Sequence, residues 1–317
     1  MRTVIAELCQ NHNGDLTLLK EMVWAAAESG ATYAKIQSML ADDLTTRERF
    51  EEGRWENGVQ VAIKRPYLSE YNRLKPMDLD DDAHYLFAEE CVKAGIKPLT
   101  TIFSRSRIPF ISSLGWDAIK VASYDCASYP MIEELKEQFS HLYISTGATF
   151  DHEIEKTSNI LKGHSFSLLH CVTIYPTPMN ELNLARLDYL KQFTQSVGFS
   201  DHSLVSRDGI KASVAAMAYG ADVVERHFTI LPPDQTRDGP VSINSEQLAE
   251  LVNFAKMSNE DLLDYVVREI PEFDTMIGKV QRQLSHEEEL NRDYYRGRFA
   301  SKVGDEVIYN WQDRPVF

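Results

Sequence analysis

Short apolar runs alternate with longer amphipathic stretches over most of the chain. Eight runs have the length of buried strands, and each is followed by a stretch whose apolar residues recur at helical spacing. The predicted strands are residues 3–8, 33–38, 98–103, 118–122, 142–146, 167–171, 197–200 and 223–228. The predicted helices are residues 16–29, 80–94, 106–114, 130–138, 152–161, 184–193, 207–218 and 245–257.

Eight strand–helix units in about 260 residues indicate an α/β protein with a (β/α)8 TIM barrel. The alternative is an open doubly wound sheet, which usually has fewer strands and often a glycine-rich phosphate loop. No such loop occurs in this sequence. We therefore predict one barrel domain over residues 1–267.

Two segments interrupt or follow this alternation. Residues 39–78 are charged and show no clear period, which predicts an inserted loop. Residues 268–317 form a C-terminal extension, in which the densely charged stretch 285–298 predicts a solvated connector. Residues 299–310 predict a short β-hairpin, which is too small to be stable alone and must lean on the barrel or on another subunit.

The composition narrows the range of partners. The chain has 33 lysines and arginines against 48 acidic residues, a net charge of −15, which argues against a nucleic-acid or anionic-membrane partner. The four cysteines show no paired spacing, so buried reduced thiols are favoured over a zinc knuckle or a disulfide framework. No apolar run has membrane-spanning length and no signal-peptide pattern is present, so we expect a cytoplasmic protein.

Polar residues collect where the predicted strands end, and in a barrel those ends share one rim. Lysines and serines there suit a phosphate or carboxylate, whose oxygens accept hydrogen bonds from ammonium and hydroxyl groups. His202 and His227, at the ends of successive strands, suit a divalent metal ion. The other rim candidates are Glu7, Lys35, residues 101–104, Lys120, Ser123, Asp125, Ser145, His170, Thr173 and Ser200.

Structural alternatives exist for these residues. A single histidine at a strand end is more often a hydrogen-bonded structural residue than a ligand. The occurrence of two on consecutive strands favours a metal site. Lys35 and Lys120 can form ion pairs inside a barrel, but their place on the rim favours anion binding. Glu225 and Arg226 are expected to pair with their neighbours.

Nine short motifs occur in order along the predicted barrel, and together they indicate a protein family. They are Ile5-Ala6-Glu7, Asn11-His12-Asn13-Gly14, Ala34-Lys35-Ile36-Gln37, Ile119-Lys120-Val121-Ala122-Ser123, Ser145-Thr146-Gly147, Leu169-His170-Cys171, Tyr175-Pro176-Thr177-Pro178, Gly198-Phe199-Ser200-Asp201-His202 and Glu225-Arg226-His227-Phe228-Thr229. In this order they resemble the sialic acid synthase family, the phosphoenolpyruvate-condensing nonulosonate synthases.

The resemblance implies a metal-dependent condensation of phosphoenolpyruvate with an N-acylated hexosamine-type aldose, similar to N-acetylmannosamine, giving a nine-carbon α-keto acid and phosphate. It implies manganese or magnesium at His202 and His227, and proton transfer by Glu7 and Asp125. The residues implied to hold phosphoenolpyruvate are Lys35, Lys120, Ser123, Ser145 and Ser200. Those implied to line the acceptor site are Thr173, Tyr175, Asp238 and Arg314.

The resemblance also implies a homodimer, in which Arg314 reaches the neighbouring subunit's site. Four features depart from the family pattern. Thr173 stands where asparagine or serine is common, Asp125 stands where glutamate is frequent, residues 39–78 match poorly, and the antifreeze-like region after Arg314 is shortened. The alternatives are a related 3-deoxy-keto-acid synthase with another aldose acceptor, and a barrel that binds sugars without catalysis.

Overall fold

The computed structural model describes residues 2–317. Its strands are β1 (Thr3–Glu7), β2 (Tyr33–Ser38), β3 (Arg54–Glu56), β4 (Val59–Ala62), β5 (Lys97–Ile102), β6 (Ala118–Val121), β7 (His141–Ser145), β8 (Ser165–Cys171), β9 (Ser196–Asp201), β10 (Val223–His227), β11 (Ser301–Val303) and β12 (Glu306–Ile308). Strands β1, β2 and β5–β10 are parallel and close into a barrel in the order β1-β10-β9-β8-β7-β6-β5-β2. The predicted (β/α)8 barrel is confirmed, and each predicted strand end lies within two residues of the observed one.

Helices surround the barrel. They are α1 (Leu16–Glu28), α2 (Tyr67–Leu74), α3 (Asp81–Ala94), α4 (Ile108–Ser113), α5 (Tyr129–Gln138), α6 (Asp151–Ile160), α7 (Arg186–Leu190), α8 (Val205–Asp208), α9 (Lys211–Tyr219), α10 (Ser245–Lys256), α11 (Asn259–Glu269), α12 (Phe273–Ile277) and α13 (His286–Tyr295). The single helix predicted over residues 207–218 is instead two helices, divided at Gly209. None of the helices within residues 2–317 has the length and apolar character needed to cross a membrane.

An apolar plug closes the lower part of the barrel interior. It consists of one residue from each of seven barrel strands: Ile5, Tyr33, Leu99, Ala118, Tyr143, Leu169 and Val223. The remaining strand, β9, carries Gly198 at this level, where an added Cβ would lie 2.5 Å from the Val223 carbonyl oxygen. Successive side chains of a strand point to opposite faces, so the residue two positions after each plug residue also faces inward.

That second inward layer is polar. Counting two positions on from the plug gives Glu7, Lys35, Thr101, Lys120, Ser145, Cys171, Ser200 and Glu225. The main apolar core lies outside the barrel, between the outward-facing strand residues and the helices. The alternation along the strands therefore builds a polar floor directly above an apolar plug, at the carboxyl ends of the strands.

The segment at residues 39–78 is not the featureless loop that the sequence predicted. It contains the hairpin β3–β4 and helix α2, and it encloses a small apolar cluster of Met39, Ala41, Leu44 and Leu74. The cluster is completed by Phe299, which is more than 200 residues away along the chain. The apolar pattern was missed because it is divided between two distant segments.

The prediction of a solvated connector at residues 285–298 was also wrong. Ser285 caps helix α13, and Glu288 both returns a capping bond to the Ser285 backbone and accepts two 2.6 Å hydrogen bonds from Arg282. Glu288 is fully buried. The charges of this stretch therefore serve to dock α13 on the barrel rather than to solvate it.

The predicted C-terminal hairpin is present as β11–β12 and leans on the barrel. The Ser106 amide donates to the Ser301 hydroxyl across 2.9 Å. Asn310 donates to the Phe103 carbonyl and to the Asp125 carboxylate, each across 2.9 Å. Residues 286–312, which we call the C-terminal arm, thus lie over the mouth of the barrel.

Candidate active site

A cavity of about 470 Å³ opens at the carboxyl ends of the barrel strands. This volume is in the range of small-molecule sites. The polar layer forms its floor, the strand-end loops form its walls, and the C-terminal arm forms part of its rim. Of the residues to which the family resemblance gives a role, all but Arg314 line the cavity: Glu7, Lys35, Lys120, Ser123, Asp125, Ser145, Thr173, Tyr175, Ser200, His202, His227 and Asp238.

Two buried lysines stand on the cavity floor. Lys120 Nζ donates to Ser145 Oγ across 2.7 Å and to the Val121 carbonyl across 2.8 Å. Lys35 Nζ donates to Thr101 Oγ1 across 3.1 Å and forms an ion pair with Glu7. Burial lowers the pKa of Lys120, whereas Glu225 and Glu7 outweigh burial and raise the pKa of Lys35. The two lysines are the donors on the floor that suit an anionic ligand, and the carboxyls of Glu7 and Glu225 lie beside Lys35.

Glu7 and Glu225 flank Lys35 but differ in electrostatic state. Burial raises the pKa of Glu7 to about 7, although Lys35 beside it acts in the opposite direction. Burial also opposes ionisation of Glu225, but Lys35 and Lys120 together hold its pKa well below the usual value. One carboxyl is thus poised to exchange a proton near neutral pH while its neighbour stays charged.

Three serines predicted to contact the donor substrate surround the lysines. Ser145 Oγ accepts the hydrogen bond from Lys120, and Ser200 Oγ donates to Glu225 across 3.0 Å. Ser123 Oγ accepts from the Gly147 amide across 3.1 Å. These hydroxyls are contributed by three different strand ends, which the barrel brings around one small volume.

Asp125 lies on the cavity wall, where the C-terminal arm restrains it. Its carboxylate accepts hydrogen bonds from Ser128 across 2.8 Å and from Asn310 across 2.9 Å. Burial raises its pKa, and these two bonds partly offset that effect. Asp125 therefore couples the arm to the site, in addition to facing the cavity.

The two histidines at the ends of β9 and β10 lie side by side, with ring centroids 5.3 Å apart. His202 Nδ1 lies 3.2 Å from the Val172 carbonyl, and its Nε2 lies 3.0 Å from the Tyr175 hydroxyl. Burial lowers the pKa of both histidines, to about 3 for His202. Neutral imidazoles are the form that binds metal ions.

Arg226 and Asp201 hold these two strand ends together from the outer side of the barrel. They form a fully buried ion pair, and Asp201 also accepts from Ser213 across 2.6 Å. Arg226 further donates to the Ser203 hydroxyl across 3.1 Å. The expectation that Arg226 pairs with a neighbour is confirmed, and the pair explains why His202 and His227 are held in place.

One group of side chains at the edge of the cavity has the composition of a metal site, and two of its members, His227 and Asp238, line the cavity. The donor atoms of Cys9, His227 and Asp238 all lie within 4.8 Å of one another. A thiol, an imidazole and a carboxylate are all good ligands for a divalent cation. The residues present therefore fit a metal ion at the His227 side of the cavity.

His170, predicted on the rim, and Arg314, predicted to reach a neighbouring subunit's site, both lie outside this cavity. His170 follows the inward-facing Leu169 and so points outward, where its Nε2 lies 2.6 Å from the Leu182 carbonyl. It is a structural histidine, not the rim residue that was predicted. Arg314 is half-exposed, pairs with Glu306 on the hairpin and does not line this chain's cavity.

The structure adds site residues that sequence reasoning passed over. Glu225 was treated as a pairing residue, although counting two positions on from Val223 places it in the inward layer. Four arginines at the mouth come from the two segments interpreted as loop or connector and from the loop after β10: Arg65, Arg73, Arg237 and Arg298. The arm contributes Glu287, Asn291 and Tyr295. No local pattern marks these residues, because they approach the cavity only through tertiary packing.

Comparison with known proteins gives similarity over most of the chain. The NeuB family model matches residues 22–265. The N,N'-diacetyllegionaminic acid synthase of Legionella pneumophila is 31% identical, over 94% of this chain and 83% of that protein. Human N-acetylneuraminate-9-phosphate synthase is 28% identical, over 80% of this chain and 69% of its own. The crystal structure of the N-acetylneuraminic acid synthetase of Leptospira borgpetersenii, in complex with citrate, superposes with a TM-score of 0.69 at 28% identity, covering 92% of this chain and 90% of the other.

Proposed function

The chain belongs to the NeuB family, and from this we propose that it condenses phosphoenolpyruvate with an aldose to give a nonulosonate and inorganic phosphate. It is a phosphoenolpyruvate-dependent enzyme that forms a carbon–carbon bond. The observation that carries the proposal is the polar floor, where two buried lysines and three hydroxyls converge above an apolar plug. Such a floor suits a small ligand that carries both a phosphate and a carboxylate.

Phosphoenolpyruvate is proposed to bind against Lys35 and Lys120. The two residues are only 3% and 2% exposed respectively, so water competes weakly for the anionic oxygens. The hydroxyls of Ser123, Ser145 and Ser200 lie around the same volume and supply further donors. Fixed ammonium groups in a water-poor site stabilise the phosphate as its charge changes during the reaction.

The proposed reaction forms one carbon–carbon bond and expels phosphate. Carbon 3 of the enol attacks the aldehyde carbon of the acceptor, whose oxygen gains a proton. Water adds at carbon 2 and gives up one proton. The resulting hydroxyl passes its own proton to the phosphate, which leaves with the electrons of its bond to that carbon and so gives the keto group. Glu7 is suited to take the proton from this water, since its pKa lies near neutrality. Asp125 is the second carboxylate proposed for proton transfer.

A divalent cation is proposed on the His227 side of the cavity. When bound, it would act as a Lewis acid that polarises the aldehyde. The resemblance to the family implies manganese or magnesium, with His202 and His227 as ligands, whereas the presence of Cys9 beside His227 favours a softer ion. The residues of the chain would orient the acceptor toward carbon 3 of the donor.

The acceptor is proposed to be an N-acylated hexosamine-type aldose in open-chain form. It would lie above the donor, against Thr173, Tyr175 and Asp238. Asn291 of the C-terminal arm donates to the Thr173 carbonyl across 2.8 Å, so the arm supports this wall. The Thr173 hydroxyl is buried and has no hydrogen-bond partner among residues 2–317, which leaves it available to an acceptor hydroxyl or amide.

Phosphate release tests the proposal. The purified protein would be incubated with phosphoenolpyruvate, a divalent cation and a panel of aldoses that includes N-acetylmannosamine, a 6-phosphorylated hexosamine, arabinose 5-phosphate and erythrose 4-phosphate. We expect phosphate release with N-acylated hexosamines and a nine-carbon product by mass spectrometry. Turnover restricted to the five- or four-carbon phosphates would favour the 3-deoxy-keto-acid alternative, and none with any aldose would favour a binding protein.

We also propose that the protein is a cytoplasmic homodimer. The four cysteines of the chain are all buried and free, as is usual in a reducing compartment. Half-exposed Arg314, which pairs with Glu306 on the hairpin, is available to a neighbouring subunit, as the resemblance to the family implies.

Mixing two inactive variants tests the dimer and Arg314 together. Arg314→Ala and Lys120→Met would each lack activity alone. If Arg314 acts across the interface, a hybrid dimer holds one intact site, so full exchange should restore about one quarter of the parent activity. The hybrid fraction would be measured by native mass spectrometry with one tagged chain. Hybrids without restored activity would contradict a shared site.

A further inference from the structure

We infer that Cys9, His227 and Asp238 are the protein ligands of the cation, and that the ion is zinc or iron(II) rather than manganese or magnesium. The inference deepens the proposed function, and rests on it only for the role of the bound ion. Cys9 showed no pattern of a metal site in the sequence, and Asp238 was assigned to the acceptor. The structure brings both of them to His227.

The three donor atoms converge from the end of β10 and from two loops, the one after β1 and the one after β10. Cys9 follows β1, His227 ends β10, and Asp238 lies in the loop after β10; their donor atoms lie within 4.8 Å of one another. Cys9 and His227 are buried, 1% and 8% exposed, and Asp238 is partly buried. Buried groups of this kind are normally satisfied by a partner, and a cation is the partner that all three share.

The two loops are tied to each other by side chains of the first one. Asn11 donates to the Phe228 carbonyl across 2.9 Å and to Ser242 Oγ across 3.0 Å. Asn13 donates to the Gln235 carbonyl across 3.0 Å. Ser242 in turn donates to the Asp238 carbonyl across 2.7 Å. The Asn-His-Asn motif therefore fixes the loop that presents Asp238, so that Asp238 faces Cys9 before any ligand binds.

Gly239 allows this loop to fold closely on itself. An added Cβ at Gly239 would lie 2.0 Å from the Pro233 carbonyl oxygen, so no other residue fits there. The tight turn places the adjacent Asp238 at the cavity. A ligand held on a rigid backbone loses little entropy on binding its ion.

Cys9 occupies a backbone conformation that disfavours any side chain. Its φ is +40°, in the left-handed region. Within residues 2–317, five residues other than glycine have positive φ. Three of them are asparagines, which tolerate this region, and the others are Cys9 and Ala148. Strain of this kind persists at functional sites, where the surrounding structure holds it in place. A thiol at such a position indicates a use for the sulfur atom.

His202 and His227 differ in what surrounds their ring nitrogens. The ring nitrogens of His202 lie within hydrogen-bonding distance of Tyr175 and Val172. His227 lines the cavity, and its ring lies within 4.8 Å of the donor atoms of Cys9 and Asp238. His227 is thus the histidine that shares a site with other ligand atoms, and His202 is placed to position Tyr175.

The identity of the donors selects the class of ion. Thiolate ligands prefer zinc and iron(II), whereas magnesium and manganese prefer sites made of oxygen donors. Three protein ligands are also typical of catalytic zinc sites, which keep a position for substrate. The set of one thiolate, one imidazole and one carboxylate meets both criteria.

Cobalt(II) titration of the metal-free full-length protein tests this inference without reference to turnover. We expect one equivalent of cobalt to give an intense near-ultraviolet sulfur-to-cobalt charge-transfer band. Glycine adopts the left-handed backbone conformation of Cys9 without strain, so Cys9→Gly should fold. It should lose the band and bind cobalt more than about 100-fold more weakly, since losing even a residue that only supports a ligand costs about 10–100-fold. Zinc should raise the melting temperature of the parent and not of this variant.

Cys171→Ser is the matched control, because Cys171 lines the same cavity but lies outside the cluster. It should keep the band. The inference would be overturned if Cys9→Gly kept the charge-transfer band. It would also be overturned if the unmodified protein showed no band and bound manganese more tightly than zinc. If the unmodified protein shows the band but does not condense phosphoenolpyruvate with any aldose, the metal site is supported and the proposed function is contradicted.

Discussion

Lys120→Met is expected to lower kcat/KM for phosphoenolpyruvate by about 10³-fold or more, because it removes a buried ammonium aimed at the donor's anionic groups. Methionine has nearly the volume of lysine without its charge, and replacing a buried charge by an apolar group of similar size is often tolerated by the fold. Lys120 Nζ lies 2.7 Å from Ser145 Oγ, so the loss would also release that hydroxyl. Phosphate release, measured over a range of phosphoenolpyruvate concentrations, gives the effect.

Lys256→Ala serves as the control for this experiment. Lys256 is exposed at the end of α10 and does not line the cavity, so its loss should leave kcat/KM within experimental error of the parent. Circular dichroism and the melting temperature show whether Lys120→Met retains the fold. If Lys120→Met is well folded and has the kcat/KM of the parent, phosphoenolpyruvate does not bind at the floor of the barrel.

Glu7→Gln is expected to lower kcat/KM by about 10²–10⁴-fold and to change its dependence on pH. Burial raises the pKa of Glu7 to about 7, so the parent should lose activity as pH falls through that value and a base becomes protonated. Glutamine keeps the shape of the side chain but cannot accept a proton. The residual activity of Glu7→Gln should therefore lack the acidic limb near pH 7.

Glu225→Gln distinguishes a base from a carboxylate that only neutralises charge. Lys35 and Lys120 hold the pKa of Glu225 low against the effect of burial, so it stays ionised across the assay range. Its replacement should reduce activity while the acidic limb stays, because Glu7 still titrates; the limb would shift because a neighbouring negative charge is lost. The profile of kcat/KM is the one to measure, since it reports on the free enzyme. An acidic limb unchanged in Glu7→Gln would exclude Glu7 as the titrating group.

The barrel was predictable because each of its eight strands is a continuous apolar run bounded by turn residues. Residues 118–121 illustrate this, since all four are buried, with Lys120 facing the cavity. The polar residues at the strand ends predicted most of the cavity floor. Side-chain alternation along the strands would also have identified Glu225, since residues two positions apart on a strand share a face.

The elements missed by the sequence-based prediction share a physical cause. Helix α13 has apolar residues too sparse to show a clear period, and its charged residues are satisfied by partners elsewhere, as Arg292 is by the Ala148 carbonyl and Glu153. Phe299 completes a cluster in the segment at residues 39–78. Contacts between segments so far apart leave no local periodicity from which to predict them.

The sequence by itself determined the strands, their inward polar layer and the family, because side-chain alternation and short motifs are local properties. Only the tertiary structure decided which polar groups meet. It brought Cys9 to His227 and Asp238, turned His170 away from the cavity, and placed the C-terminal arm over the mouth while leaving Arg314 outside. These outcomes depend on how loops from opposite ends of the chain pack around a closed barrel, and that packing is set by hydrogen bonds such as those of Asn11 and Asn310 across more than 180 residues.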